Sequence, residues 1–355
     1  MIRSTILEGK NRTLWVDALK FLGILAIYTG HFGSSAGRLH LFVFQYHVPL
    51  FFFVSGFFAT SNQRSTLNFI KAKTIQLMVP YAVFSVVALS YFSLVNNWNS
   101  NQILETAKPF LFGIRNQLAA NSLWFIPCLF IVSIIHYLVM KISKRHIVSI
   151  LVSIIFFIGC QSLLPNNPIQ KPTWVLNLDS ALYYYLYFAI GAAFFPILAT
   201  QTESALSRRL SGTASFFAII FASVLFFEGP EYFLGKIFSY LPWLGNFGTQ
   251  VNLYLYIPIS ALILIYANIA IAKTISSIQI FQNLGQETLA LCGTENVFKD
   301  FLSQAATLFG ISINLSNPLI TLVYACLCLF GSYYSFVPHV NRLIDKLKRS
   351  VRLAT

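Results

Sequence analysis

The chain has 355 residues, 56% of them hydrophobic and only 10% charged, with a formal net charge of +13. Its mean hydropathy is +0.68, whereas soluble domains carry about a quarter charged residues, so the composition excludes a soluble globular protein and indicates an integral membrane protein. The basic residues fall in short clusters between apolar runs and form no continuous face with stacking aromatics, which argues against nucleic acid and for a membrane orientation signal.

A spanning helix needs about 20 mostly apolar residues. Stretches of that kind lie near 14–33, 41–60, 75–95, 122–140, 147–164, 180–199, 212–228, 251–272, 284–309 and 318–338. The expected fold is an all-α integral membrane protein, about ten transmembrane helices in one bundle. It forms a single domain over 1–355, with no soluble domain, a short lead at 1–13 and a basic tail at 340–355. Asp17 and Lys20 interrupt what a signal peptide would need as a clean apolar core, so the first segment reads as a retained helix. The run 232–247, YFLGKIFSYLPWLGNF, is broken by Gly and Pro and is expected to be interfacial or re-entrant.

The loops alternate in charge. With the N-terminus inside, one side collects Arg3, Lys10 and Arg12, then Arg64, Lys71 and Lys73, then Lys141, Lys144 and Arg145. Arg208, Arg209, Lys273 and the tail from Arg342 to Arg352 follow on that side. The other side receives Arg38, Lys108, Arg115, Lys171 and Lys236. This bias predicts cytoplasmic N- and C-termini in a cell (plasma) membrane.

Against so apolar a background, ionisable residues within the spans are functional candidates. The first span, DALKFLGILAIYTGH (17–31), carries Asp17, Lys20, Tyr28 and His31. Lys20 and His31 are eleven residues apart, close to three turns, so they share a face about 16 Å apart along the axis. Asp17 and Lys20, three apart, can pair; they read either as a snorkelling boundary pair or as part of a polar stripe. QYHVPLFFFVSGFF (45–58) opens the second span with His47 just before Pro49, at a depth similar to His31. The two imidazoles are candidates for a proton-handling pair. In LGQETLALCGTENVFKDFL (284–302), Glu295 and Lys299 stand four apart and can pair. Glu295 either fixes helix packing or lines a cavity facing the histidines. SLWFIPCLF (122–130) starts another span at Trp124, read as an interfacial aromatic or a substrate contact. Cys128, Cys160, Cys292, Cys326 and Cys328 all lie in apolar runs, and no metal-ligand spacing appears, so no metal is expected.

Taken together, these motifs resemble the membrane-bound acyltransferase-3 family, of the sugar and polysaccharide O-acetyltransferase kind. The likeness runs through Arg12-x4-DALK…GH with Lys20-x10-His31, then HVPLFFFVSGFF, Lys71 and Lys73 before VPY, SLWFIP and the late LGQETL element. The resemblance implies transfer of an acyl group, usually acetyl from acetyl-CoA, to a hydroxyl of a cell-envelope glycan or its lipid-linked precursor. It implies His31 as catalytic base; Asp17, His47 and Glu295 are further catalytic candidates from their own positions in the spans. Lys20, Arg64, Lys71 and Lys73 would meet acyl-CoA, and Tyr28, Trp124 and Lys299 would meet the acceptor. The family's Arg-x-x-Arg pair is Lys73 and Gln76 here, and Glu295 stands where many relatives carry a histidine. A transporter or flippase for a glycan or lipid-linked sugar is the alternative, although no inverted repeat is evident. A structural or sensory membrane protein, with its ion pairs fixing helix packing, is the third.

Overall fold

The computed structural model describes residues 13–59, 65–199, 205–229, 252–311 and 313–353. All the regular elements in these residues are helical. The first is α1 (Leu14–Gly30), followed by the broken pass α2 (Arg38–Val43) and α3 (His47–Gly56). Next come α4 (Thr66–Lys73) and α5 (Val79–Val95), joined by a π-helical turn at Thr74–Met78, and the amphipathic α6 (Ser100–Phe112). After them run α7 (Phe125–Ser143), α8 (His146–Ser162), α9 (Leu178–Ala199) and α10 (Ala205–Glu228). The last five are α11 (Ile257–Ile275), α12 (Gln279–Gln286), α13 (Thr288–Leu308), α14 (Pro318–Ser335) and α15 (Val337–Leu353).

Among the described residues, seven helical passages are long and apolar enough to cross a membrane: Arg38–Gly56, Thr66–Val95, Asn121–Ser143, Val175–Ala199, Ser211–Glu228, Tyr254–Ile275 and Pro318–Ser335. The protein is thus an all-helical, multi-pass membrane protein. The ten expected spans included three more, and each of these differs for a visible reason. Helices α1 and α8 have only 17 residues each, and α13 carries Glu295, Lys299 and Asp300 within its length. All three nonetheless pack into the bundle, α1 against α3, α11, α12, α13 and α14. The expected re-entrant run 232–247, and Arg64, lie outside the described residues.

Local sequence explains several boundaries. The stretch between the expected spans 75–95 and 122–140 contains α6, which opens with a reciprocal cap between Asn99 and Gln102. Asn317 caps α14, its side chain accepting from the N–H of Leu319 at 2.9 Å, with Pro318 in the first turn. Pro80 has no N–H to return to the preceding turn, and the widened turn at Thr74–Met78 lies directly before it.

Close packing follows small residues. At the crossing of α3 and α9, a Cβ on Gly56 would strike the backbone of Phe188 and Ala192, and one on Gly191 would strike the carbonyl of Phe53. The two glycines let the backbones touch, the usual device where lipid removes the hydrophobic drive between helices. Beside them Phe52 stacks on Tyr184 with ring centroids 4.6 Å apart. On the other flank, the backbone of Asp17 fills the space a side chain at Gly285 would need, which seats α12 on α1. Phe21 and Phe281 stack at 4.3 Å across the same contact. Helices α1 and α13 run in the same direction, with Tyr28 donating to the carbonyl of Leu291 at 3.0 Å between them.

Candidate active site

The parallel course of α1 and α13 brings His31 to Glu295. The Nδ1 atom of His31 lies 3.0 Å from Oε1 and 2.9 Å from Oε2 of the carboxylate. Glu295 is fully buried, whereas the His31 side chain is 27% exposed. Lys299, one turn further along α13, reaches Oε1 of Glu295 at 3.2 Å and the carbonyl of Tyr28 at 3.5 Å. Its ammonium also sits 4.0 Å from the centroid of the Phe32 ring. A buried carboxylate is tolerable only when it is paired and hydrogen-bonded; here an imidazole and an ammonium meet that requirement together.

The carboxylate can only accept, so the proton of this contact belongs to Nδ1 of His31. Nε2 is the nitrogen left for chemistry, and the ring's partial exposure is on a residue otherwise anchored from behind. The backbone helps to fix it: His31 ends α1, its N–H donating to the carbonyl of Ile27 at 3.0 Å. His40 of α2 donates from Nδ1 to the carbonyl of Gly30 at 2.8 Å, satisfying a helix-end carbonyl that would otherwise lack a partner.

His47 stands beside this pair, its ring edge-on to His31 with centroids 5.9 Å apart. It is buried, and its Nδ1 donates to the carbonyl of Val43 at 2.8 Å. Its Nε2 is consequently the unprotonated nitrogen, able to accept a hydrogen bond. Phe44 packs among the three histidines, 4.1 Å from His40, 4.7 Å from His47 and 6.4 Å from His31 by ring centroids.

Other expected site residues are placed as follows. Trp124 is buried, 5.7 Å from Tyr184 and with the Arg115 guanidinium 4.5 Å from its ring. The short turn that carries it is tied to α13, because Ser122 donates to the carbonyl of Cys292 at 3.0 Å. Tyr28 is fully buried and joins α1 to α13 instead of facing an opening. Asp17 and Lys20 pair at 3.1 Å at the opposite end of α1 from His31. Lys71 and Lys73 lie on α4, Lys73 being 5.9 Å from the Phe69 ring. The sequence reading did not single out His40, Arg115 or Asn177. His40 was within reach of it, seven residues before His47; the other two owe their roles to partners distant in the chain. Among the described residues no group of three His, Cys, Asp or Glu is placed to hold a metal ion.

What the fold and site define together is a multi-pass membrane protein with an imidazole held by a buried carboxylate, the arrangement that orients a general base. The chain belongs to the acyltransferase-3 family: the family model described as an acyltransferase domain matches residues 13–337. It is accordingly a membrane acyltransferase by family. Compared with curated proteins and with solved structures, the chain finds no match.

Proposed function

We propose that the protein is an O-acyltransferase that moves an acetyl or other short acyl group from acyl-CoA to a hydroxyl of a cell-envelope or exopolysaccharide sugar, or of its lipid-linked precursor, with His31 as general base. The observation that carries this reading is the His31–Glu295 contact, which commits Nδ1 and leaves Nε2 to take a proton. In the proposed step Nε2 removes the hydroxyl proton as the oxygen attacks the thioester carbonyl. The tetrahedral intermediate then expels the CoA thiolate, and the imidazolium returns the proton to sulfur. Glu295 keeps the ring in the correct tautomer and stabilises the imidazolium that forms.

Lys20, with Lys71 and Lys73, suits the phosphates of a CoA donor. The charge bias of the loops supports a cytoplasmic position for that end of the bundle, where acyl-CoA is found, and the plasma membrane is the proposed location. Lys20 and His31 are about 16 Å apart along α1, so the donor's thioester has to reach across part of the bundle to the base. An acceptor sugar would then approach from the His31 end.

The test is transfer of radiolabelled acetyl from acetyl-CoA by the purified full chain in detergent, wild type against His31→Ala. Loss of about 10²–10⁴ in rate is expected when a general base is removed. Retained transfer in the variant would remove His31 from that role, and inertness of the wild type toward acyl-CoA with every glycan acceptor would overturn the acyltransfer reading.

A further inference from the structure

Arg115 lies in the turn between α6 and Trp124, at the same end of the bundle as Glu295. Two of its three guanidinium nitrogens, Nε and Nη1, are buried and have no hydrogen-bond partner among the described residues. Those atoms carry three of the five N–H donors of an arginine. Buried donors are almost always satisfied, and a buried cation without a counter-charge is costlier still. One acidic residue of this neighbourhood is Asp179, since it and Arg115 both act electrostatically on Cys128. Asp179 is already engaged, its oxygens accepting from the backbone N–H groups of Thr173 at 2.7 Å, Trp174 at 3.2 Å and Ser180 at 2.8 Å. Glu295, the other buried carboxylate at this end, is taken by His31 and Lys299.

The guanidinium is nevertheless held in place. One face lies 4.5 Å from the centroid of the Trp124 ring, and the Tyr184 hydroxyl is beside it. The backbone that carries it is clamped by Asn177, which is fully buried. The Asn177 side chain accepts from the N–H of Arg115 at 2.8 Å and donates to the carbonyls of Gly113 and Trp124. Asn177 and Leu176 both adopt left-handed backbone angles, φ 54° and 55°. Such conformations in non-glycine residues cost free energy, and they persist only where the surroundings over-determine them. Strain is therefore spent on fixing one turn whose product is a rigid, unneutralised cation. That cation is close enough for its charge to act on His47, which abuts His31.

We propose that Arg115 is an anion-recognition residue for the acceptor, binding a carboxylate or phosphoryl group carried by the sugar that presents its hydroxyl to His31. The missing counter-charge arrives with the substrate. This rests on the acyltransfer reading for the identity of the ligand as acceptor, and on the unpaired guanidinium for its charge. Residue 115 as a whole is partly exposed, so the buried nitrogens lie just beneath the surface, and a ligand has to displace their immediate cover to reach them.

The test is a binding measurement, so that it stands apart from catalysis. Tryptophan fluorescence of the purified full chain is titrated with glucuronate, glucose 1-phosphate and glucose; Trp124, stacked on Arg115, is the expected reporter, with Trp124→Phe as control. The wild type is expected to bind at least one of the two anions saturably and glucose far more weakly. Arg115→Gln should weaken the anion about tenfold or more, as loss of a charge-assisted hydrogen bond predicts, and Arg115→Lys should fall between, confirming that charge rather than stacking is read. Whichever anion binds tighter assigns carboxylate or phosphoryl recognition. No saturable anion binding to the wild type, or equal binding by Arg115→Gln, overturns the proposal. So does an Arg115→Gln variant that loses acetyl-CoA affinity instead, because the anion would then be the donor's.

Discussion

At the scale of single residues, the site depends on a division of labour within one imidazole. Glu295 engages Nδ1 of His31 with both oxygens, and Lys299 shares one of them. Replacing the carboxylate by the isosteric amide in Glu295→Gln preserves volume but removes the charge that selects the Nδ1–H tautomer. The expected result is a fall in kcat of about 10²–10⁴, with KM for acyl-CoA essentially unchanged, since the donor-side lysines are untouched. Steady-state kinetics on the purified variant checks it. A raised KM with normal kcat would show Glu295 acting in binding instead. Each member of this cluster was visible in the sequence as an ionisable residue stranded in apolar surroundings. Their pairing was only half legible: Glu295 and Lys299 are neighbours by helical spacing, but His31 and Glu295 meet across 264 positions, through a packing of helices that no local pattern encodes. Arg115 was counted only as one loop charge, because what distinguishes it is the absence of a partner, and absence is a property of the folded surroundings.

At the scale of elements, helix identity followed from apolar runs, while helix contacts followed from where side chains are missing. Gly56 and Gly191 look like any other glycines in a membrane segment; only the crossing of α3 and α9 shows that each faces the other's backbone. Gly159 on α8 provides the contrast, since a Cβ there meets nothing within 4 Å. The two positions should consequently respond with opposite sign. Gly191→Ala has to push apart two backbones and should destabilise by about 1–3 kcal/mol or more, as overpacking does. Gly159→Ala removes an entropic penalty from a helix interior and should be neutral or stabilising by up to about 1 kcal/mol. Thermal unfolding in a single detergent, followed by circular dichroism, compares them; an equal effect at both sites would mean the α3–α9 approach is looser than described. The α3–α9 contact also carries Phe52 and Tyr184, and Tyr184 neighbours Trp124, so the Gly191 substitution should depress activity along with stability. The same reasoning explains why no span was expected between 95 and 122. Helix α6 has an amphipathic, polar composition, and its helicity rests on a capping box rather than on hydrophobicity.

At the scale of the whole molecule, the decisive quantity is orientation, because the proposed chemistry needs donor and acceptor at opposite ends of α1. Charge distribution supports one assignment, in which the clusters around Lys71, Lys141 and the basic face of α15 share the proposed cytoplasmic side and Arg38 and Lys171 the other. One contact locates α15 relative to α1. Asn341 of α15 donates to Glu287 at 2.8 Å, and Glu287 adjoins α12, which is seated on the Asp17 end of α1. The basic helix α15 therefore lies at the Lys20 end of the bundle, where a phosphate-rich donor is proposed to bind. Lys171 and Lys346 are both exposed, so single cysteines at these positions report on the two sides. In intact cells a membrane-impermeant maleimide should label Lys171→Cys and leave Lys346→Cys unlabelled until the membrane is opened. Background is low because four of the five native cysteines are buried and the fifth, Cys326, can be replaced by serine. The reverse pattern would put the basic helix and Lys20 outside, away from any cytoplasmic thioester. His31 would then have to receive its acceptor from the cytoplasm, and the transfer would run in the opposite sense across the bundle.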